Sequence, residues 1–209
     1  MRMTVMFVLA LGCLGVVWTP AQAQTNTMEV INFVKDDGRH VLNYSTFRSN
    51  YPSLELGFPK DRSLDEALKD VFYINPNEYR YDETSDRNVN KLLLSQGSYA
   101  MMAEADLTNN SNGSVYGNLT VNDSGVYKFS TEDRKSPDGH YGLRNTSGNF
   151  SQFVYVWVFP ESFEVLAYEC NRRGDWVKRH NTIAYYGKEV NDLLFTITYR
   201  PPRRNPPQK

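Results

Sequence analysis

Phe153-Val154-Tyr155-Val156-Trp157-Val158-Phe159 alternates aromatic rings with valines and carries no polar residue. Successive residues of a strand point to opposite faces of the sheet, so this run puts its rings on one face and its valines on the other. Neither face is built for water, which predicts a central strand covered on both sides. Further period-two runs follow Gly97: Tyr99 to Leu107, Ser114 to Val121, Val126 to Thr131, Tyr141 to Asn145, Phe163 to Tyr168, Asp175 to Arg179, Thr182 to Tyr186 and Leu193 to Tyr199. In the last, Leu193, Phe195, Ile197 and Tyr199 oppose Thr196 and Thr198, the pattern of a half-buried outer strand. Clusters of Asn, Asp, Ser, Gly and Pro separate the runs, such as Asn109 to Gly113, Ser136 to Gly139 and Asn171 to Gly174. Short strands so closely punctuated predict a mainly β chain, an antiparallel β-sandwich of jelly-roll-like character.

Upstream the signals are mixed. Met28 to Val34 and Val41 to Tyr44 read as strands around the turn Asp36-Asp37-Gly38. Ser63-Leu64-Asp65-Glu66 has the form of a capping box. Leu64, Ala67, Leu68, Val71 and Phe72 follow it on one helical stripe, which Asn75-Pro76-Asn77 ends. Val89, Leu92 and Leu93 form a weaker helical pattern. One or two short helices are therefore expected in the N-terminal third. The expected organisation is a leader over 1–23, a mixed α/β part over 24–97, a sandwich part over 98–199 and a Pro-rich basic tail over 200–209.

Arg2, the apolar stretch Val5 to Trp18 and Ala21-Gln22-Ala23 have the order of a cleavable export signal. The apolar run is shorter than the roughly 20 residues that span a bilayer, so no transmembrane helix is expected in the mature chain. Cleavage after Ala23 leaves 22 basic and 24 acidic residues and one thiol, Cys170, expected to be buried. The near balance of charge argues against a basic nucleic-acid surface. An eight-stranded outer-membrane barrel is an alternative for a Tyr-rich exported chain. Against it stand the capped helix and the tail Pro201-Pro202-Arg203-Arg204-Asn205-Pro206-Pro207-Gln208-Lys209, whose prolines cannot donate to a ladder.

Chemistry-bearing patterns are sparse. His40, His140 and His180 stand far apart with no zinc spacing, and no G-x-S-x-G elbow, P-loop or dinucleotide fingerprint occurs, so neither a metal nor a cofactor is expected. Glu164 and Glu169 are the candidates for a glycosidase carboxylate pair, the basis of an alternative reading as a carbohydrate-active enzyme. Asp138-Gly139-His140-Tyr141-Gly142 pairs an imidazole with an acid between two glycines, and Trp176 follows the polar turn Arg172-Arg173-Gly174-Asp175. Asp138, His140, Tyr141 and Trp176 are thus the candidate ligand-binding residues. Trp157 reads as core. Gly174 is expected to supply the positive φ of a hairpin. Asp123-Ser124-Gly125-Val126-Tyr127-Lys128-Phe129 has the D-x-G-x-Y form found at a sandwich corner.

Between Asp138 and Pro201 the chain resembles a module of bacterial OmpA-like envelope proteins that precedes their peptidoglycan-binding domain. The residues carrying the resemblance are Gly139 to Asn145, Tyr155 to Pro160, Asn171 to Val177, Asn181 to Gly187 and Val190 to Leu193. The peptidoglycan-binding domain does not appear within these residues, so neither that activity nor any catalytic residue is carried over. The resemblance implies a periplasmic or secreted, non-catalytic binding or structural module whose partner is an envelope protein or glycan.

Overall fold

The computed structural model describes residues 25–50, 54–59, 71–75, 79–82, 89–94, 97–108, 117–131, 139, 143–145 and 148–202. These residues are mainly β. The strands are β1 (Asn26–Val34), β2 (His40–Ser49), β3 (Leu54–Pro59), β4 (Val71–Asn75), β5 (Tyr79–Asp82), β6 (Val89–Leu94) and β7 (Ser98–Asp106). After them come β8 (Asn118–Val121), β9 (Tyr127–Ser130), β10 (Gln152–Val158), β11 (Glu164–Cys170), β12 (Asp175–Arg179), β13 (Thr182–Gly187) and β14 (Phe195–Arg200). They form a seven-stranded sheet in the order β12-β13-β10-β1-β2-β7-β4, a four-stranded sheet β11-β14-β9-β8 and a three-stranded sheet β3-β6-β5. Each order is open, with an edge strand at either end.

β10, the aromatic-valine run, lies inside the large sheet between β1 and β13. Phe153, Tyr155 and Trp157 are buried, and they meet Phe195, Ile197 and Tyr199 of β14 across the gap between the two larger sheets. The Tyr155 and Phe195 rings stack at 4.3 Å between centroids, and Phe129 lies 4.9 Å from Trp157. A single core therefore fills the space between the sheets. Tyr199 ties them further by donating its hydroxyl proton to the Gly38 carbonyl at 2.6 Å, in the β1–β2 turn where Gly38 takes a φ of 72°.

Several expectations are corrected. The large sheet is not wholly antiparallel, because β1 and β10 pair in parallel from Thr27 opposite Gln152 to Phe33 opposite Val158. Strands from both sides of Gly97 are thus joined in it. Ser63 to Asp70 lie outside the described residues, but Val71 and Phe72, expected on that helix's stripe, belong to β4, where Val71 pairs with Ala103 of β7 and Phe72 falls at a break in register. Val89, Leu92 and Leu93 belong to β6, the middle strand of the small sheet. Strand pairing here overrides a helical spacing that short apolar runs satisfy by chance. The valine face of β10 is only half-buried, and Phe33 beside it is 43% exposed. β14, expected as an outer strand, sits inside its sheet between β11 and β9 while keeping the predicted alternation. Cys170 is half-buried at the margin of the core, where burial raises its thiol pKa. Asp123 to Phe129 form the β8–β9 hairpin: Asn122 and Val126 close the turn, and Gly125 supplies a φ of 71°. The segments 1–24 and 203–209 lie outside the described residues, and among those described no helix is long and apolar enough to cross a membrane.

Candidate functional site

Arg172, Arg173 and Gly174 connect β11 of the four-stranded sheet to β12 of the seven-stranded sheet. They do not make a hairpin, since β11 pairs with β14 and β12 with β13. Nor does Gly174 take a positive φ. It is needed because a β-carbon there would enter the space of the Tyr185 ring and crowd the Tyr186 carbonyl at 2.6 Å. Tyr185 holds the connection from below, its hydroxyl donating to the Arg173 carbonyl at 3.1 Å and lying 3.3 Å from that of Arg172.

A second loop, between β13 and β14, is pinned by Asn191. Its Oδ1 accepts from the amides of Asn145 and Asp192 at 2.8 and 2.9 Å, while its Nδ2 donates to the carbonyls of Asn145 and Gly148 at 2.9 and 2.8 Å. Its own carbonyl accepts from Arg172 Nε at 2.8 Å. Hydrogen bonds of this kind contribute roughly 0.5–1.5 kcal/mol each, so the set makes three loops one rigid rim. Glu189 and Asp192 in this rim hold φ values of 51° and 53°, a backbone state that non-glycine residues seldom adopt.

Between these loops opens a cleft of about 730 Å³, lined by Arg172, Arg173, Asp175, Tyr186, Lys188 and Glu189 among others. Arg172 approaches Asp192 at 3.6 Å. Among the described residues Arg173 and Lys188 have no ion pair, and Tyr186 is 46% exposed. The cleft offers the cations of Arg173 and Lys188 beside the carboxylates of Asp175 and Glu189, an open aromatic ring and the Asn149 amide, groups that hold a ligand by charge, stacking and hydrogen bonding.

At the opposite end of the sheets lies a second cleft of about 570 Å³, lined by Asp37, Arg39, His40, Ser124, Tyr127 and Arg200 among others. Its charges are largely spent on one another. His40 Nδ1 lies 2.6 Å from Asp37 Oδ2, its Nε2 is 3.9 Å from Asp106 Oδ2, and Arg200 pairs with Glu164 at 2.8 Å. Both nitrogens of the imidazole face carboxylates, so the ring is held as part of the turn. Burial works to raise the Asp37 pKa, yet hydrogen bonds from the His40 and Arg39 amides and from the His40 ring outweigh it and bring it down to about 2.

Of the residues predicted from sequence, Asp138, His140 and Tyr141 lie outside the described residues. Trp176 is described and half-buried beside the first cleft, with its ring 4.7 Å from Tyr168, 5.4 Å from Tyr185 and 6.2 Å from Phe195. Such ring pairs contribute about 0.5–1.5 kcal/mol each beyond simple burial, so the indole serves packing where the two sheets meet. Glu164 and Glu169 are both exposed, the former in its pair with Arg200. Lys188, Tyr186 and Asn191 were not singled out in the sequence. Tyr186 and Asn191 entered the sequence reading only within the stretches Asn181 to Gly187 and Val190 to Leu193 that carry the resemblance.

No protein-family model matches the chain. No curated protein matches it either. Its matches among solved structures are weak. Yeast LTA4 hydrolase in complex with bestatin matches with a TM-score of 0.49 and 9% identity, over 83% of this chain and 28% of that one. Native leukotriene A4 hydrolase from Saccharomyces cerevisiae matches with a TM-score of 0.46 and 8% identity, over 84% and 29%. An M1 zinc metallopeptidase from Deinococcus radiodurans matches with a TM-score of 0.36 and 13% identity, over 83% and 41%. This chain therefore spans less than half the length of each.

Proposed function

We propose that the chain is an exported bacterial cell-envelope protein, a jelly-roll-like β-sandwich that binds an acidic glycan of the envelope without transforming it. The observation that carries this reading is the pinned cleft in which Arg173 and Lys188 stand uncommitted beside the open ring of Tyr186. Cations meet carboxylates or phosphates, an aromatic face packs on the C–H face of a pyranose, and the Asn149 amide suits a hydroxyl. Export is supported by the leader-like residues 1–23 and by the resemblance to a module of OmpA-like envelope proteins. The residues carrying that resemblance include the Asn171 to Val177 and Val190 to Leu193 stretches, which border this cleft.

Calorimetric titration of the mature protein tests the reading with two probes: soluble muropeptides, whose stem peptides bear carboxylates beside the sugars, and phosphorylated core oligosaccharide of lipopolysaccharide. Binding to one of them, weakened at least tenfold in the double variant Arg173→Ala, Lys188→Ala, is expected. No binding to either, or binding indifferent to both substitutions, removes the proposal. Turnover of the probe that is lost in Glu164→Gln or Glu169→Gln would establish the enzyme in its place.

A further inference from the structure

The core contains polar side chains that its apolar surroundings do not account for. Asn32 on β1 is fully buried, and its strand neighbours at the same level are Trp157 of β10 and Asn43 of β2. All three side chains lie on the face turned toward the four-stranded sheet, in one row across three adjacent strands. Asn43 Nδ2 donates to Asn32 Oδ1 at 2.8 Å. That bond leaves Asn32 Nδ2, Asn43 Oδ1 and the indole Nε1 of Trp157 buried with no protein partner. The Tyr155 hydroxyl lies in hydrogen-bonding range of both Asn32 and Trp157, but neither N–H is aligned to close the bond.

Buried polar groups are nearly always paired, by protein or by ordered water, because stripping them of water without replacement is costly. Here the orphans come as a complementary set. Asn32 Nδ2 and Trp157 Nε1 are donors, Asn43 Oδ1 is an acceptor, and Tyr155 Oη offers a second acceptor. A water molecule accepts twice and donates twice, and internal waters typically make about three hydrogen bonds. No ion suits the set, since a cation would face two N–H donors and an anion would face the amide oxygen.

We infer that Asn32, Asn43 and Trp157 form an internal hydration site, in which one long-lived water accepts from the Asn32 amide and the Trp157 indole and donates to the Asn43 carbonyl oxygen. The water links β10, β1 and β2 beneath the ring layer, so the parallel β1–β10 pair is tied by side chains as well as by its ladder. The asparagines persist in this core as ligands of that water, not as a pair sufficient to themselves.

The test uses the mature protein labelled with 15N-tryptophan, which places reporters at Trp157 and Trp176 only. The Trp157 indole resonance is identified by its loss in Trp157→Phe. The expected result is a cross-peak between its indole proton and water that changes sign between NOE and ROE spectra, the mark of spatial contact as opposed to proton exchange. The cross-peak persists in Tyr155→Phe. Its absence overturns the inference, because an Asn32 amide turned end for end would then take the indole proton directly on Oδ1. Its loss in Tyr155→Phe also overturns it, since the phenolic proton would be the source. If Tyr155→Phe does not fold, a crystal structure of the unaltered protein at about 1.5 Å decides the matter. A water within roughly 3.2 Å of all three atoms upholds the site, and a direct indole–amide bond removes it.

Discussion

Asp37 accepts the Arg39 and His40 amide protons at 2.8 and 3.0 Å, and its other oxygen meets the His40 ring at 2.6 Å. A carboxylate so placed closes the β1–β2 turn only while it is charged. Its folded pKa, about 2, lies below the ordinary value of 3.8. The sign follows from linkage: a depressed carboxyl contributes stability that is complete above its unfolded pKa and is lost as pH falls through the folded one. Urea unfolding should therefore show a loss of stability from about pH 4 down to about pH 2 that is smaller in Asp37→Asn, a variant already weaker at pH 6. Equal acid sensitivity of the two proteins would refute the assignment. Nothing in Asp36-Asp37-Gly38 beyond its turn character announced this role, because the His40 ring reaches back to Asp37 only once the hairpin closes. Trp176 shows the converse. Its neighbourhood was legible from the polar residues preceding it, but its partners Tyr168 and Phe195 come from the other sheet.

Among the elements, β12 and β13 were readable almost to the residue because each is a short run rich in aromatic and β-branched residues and turn residues bound them. The β11–β12 connection was not. Its Arg-Arg-Gly composition fits a hairpin as well as a crossing between sheets, and only the partners of the flanking strands distinguish them. The distinction matters for Gly174, whose role is clearance above Tyr185. Gly174→Ala should cost about 1–3 kcal/mol by overpacking. It should also weaken ligand binding in the neighbouring cleft, because displacing the Tyr185 ring breaks the hydroxyl contacts that hold the Arg172 and Arg173 carbonyls. Denaturant midpoints and the titrations above would show both effects. A fully stable Gly174→Ala would mean that the ring yields without cost. The helical spacing over Val71 and Phe72, and that of Val89, Leu92 and Leu93, failed for a related reason: a few apolar residues satisfy either period, and pairing with β7, β3 and β5 decided between them.

At the scale of the whole molecule, the parallel β1–β10 pair joins residues more than a hundred positions apart, and β1 and β2 contribute Val30, Val34, Val41 and Phe47 to the core. A chain beginning at Gly97 would leave one edge of β10 unpaired and that part of the core uncovered. It should lack near-ultraviolet circular dichroism and unfold without a cooperative transition, whereas residues 24–209 should show both. Cooperative unfolding of the shorter chain would disprove this dependence. The sequence alone determined the mainly β class, the inward rings of Phe153, Tyr155 and Trp157 and the alternation of the last strand, because these depend on the local two-residue period of a strand. Only the tertiary structure decided the parallel pairing, the sheet-to-sheet crossing at Arg172 to Gly174, the cleft that unites Arg173, Tyr186 and Lys188, and the buried row of Asn32, Asn43 and Trp157. Each of these depends on which distant strands come to lie side by side, and hydrophobic burial rewards many such arrangements nearly alike until the whole core is assembled.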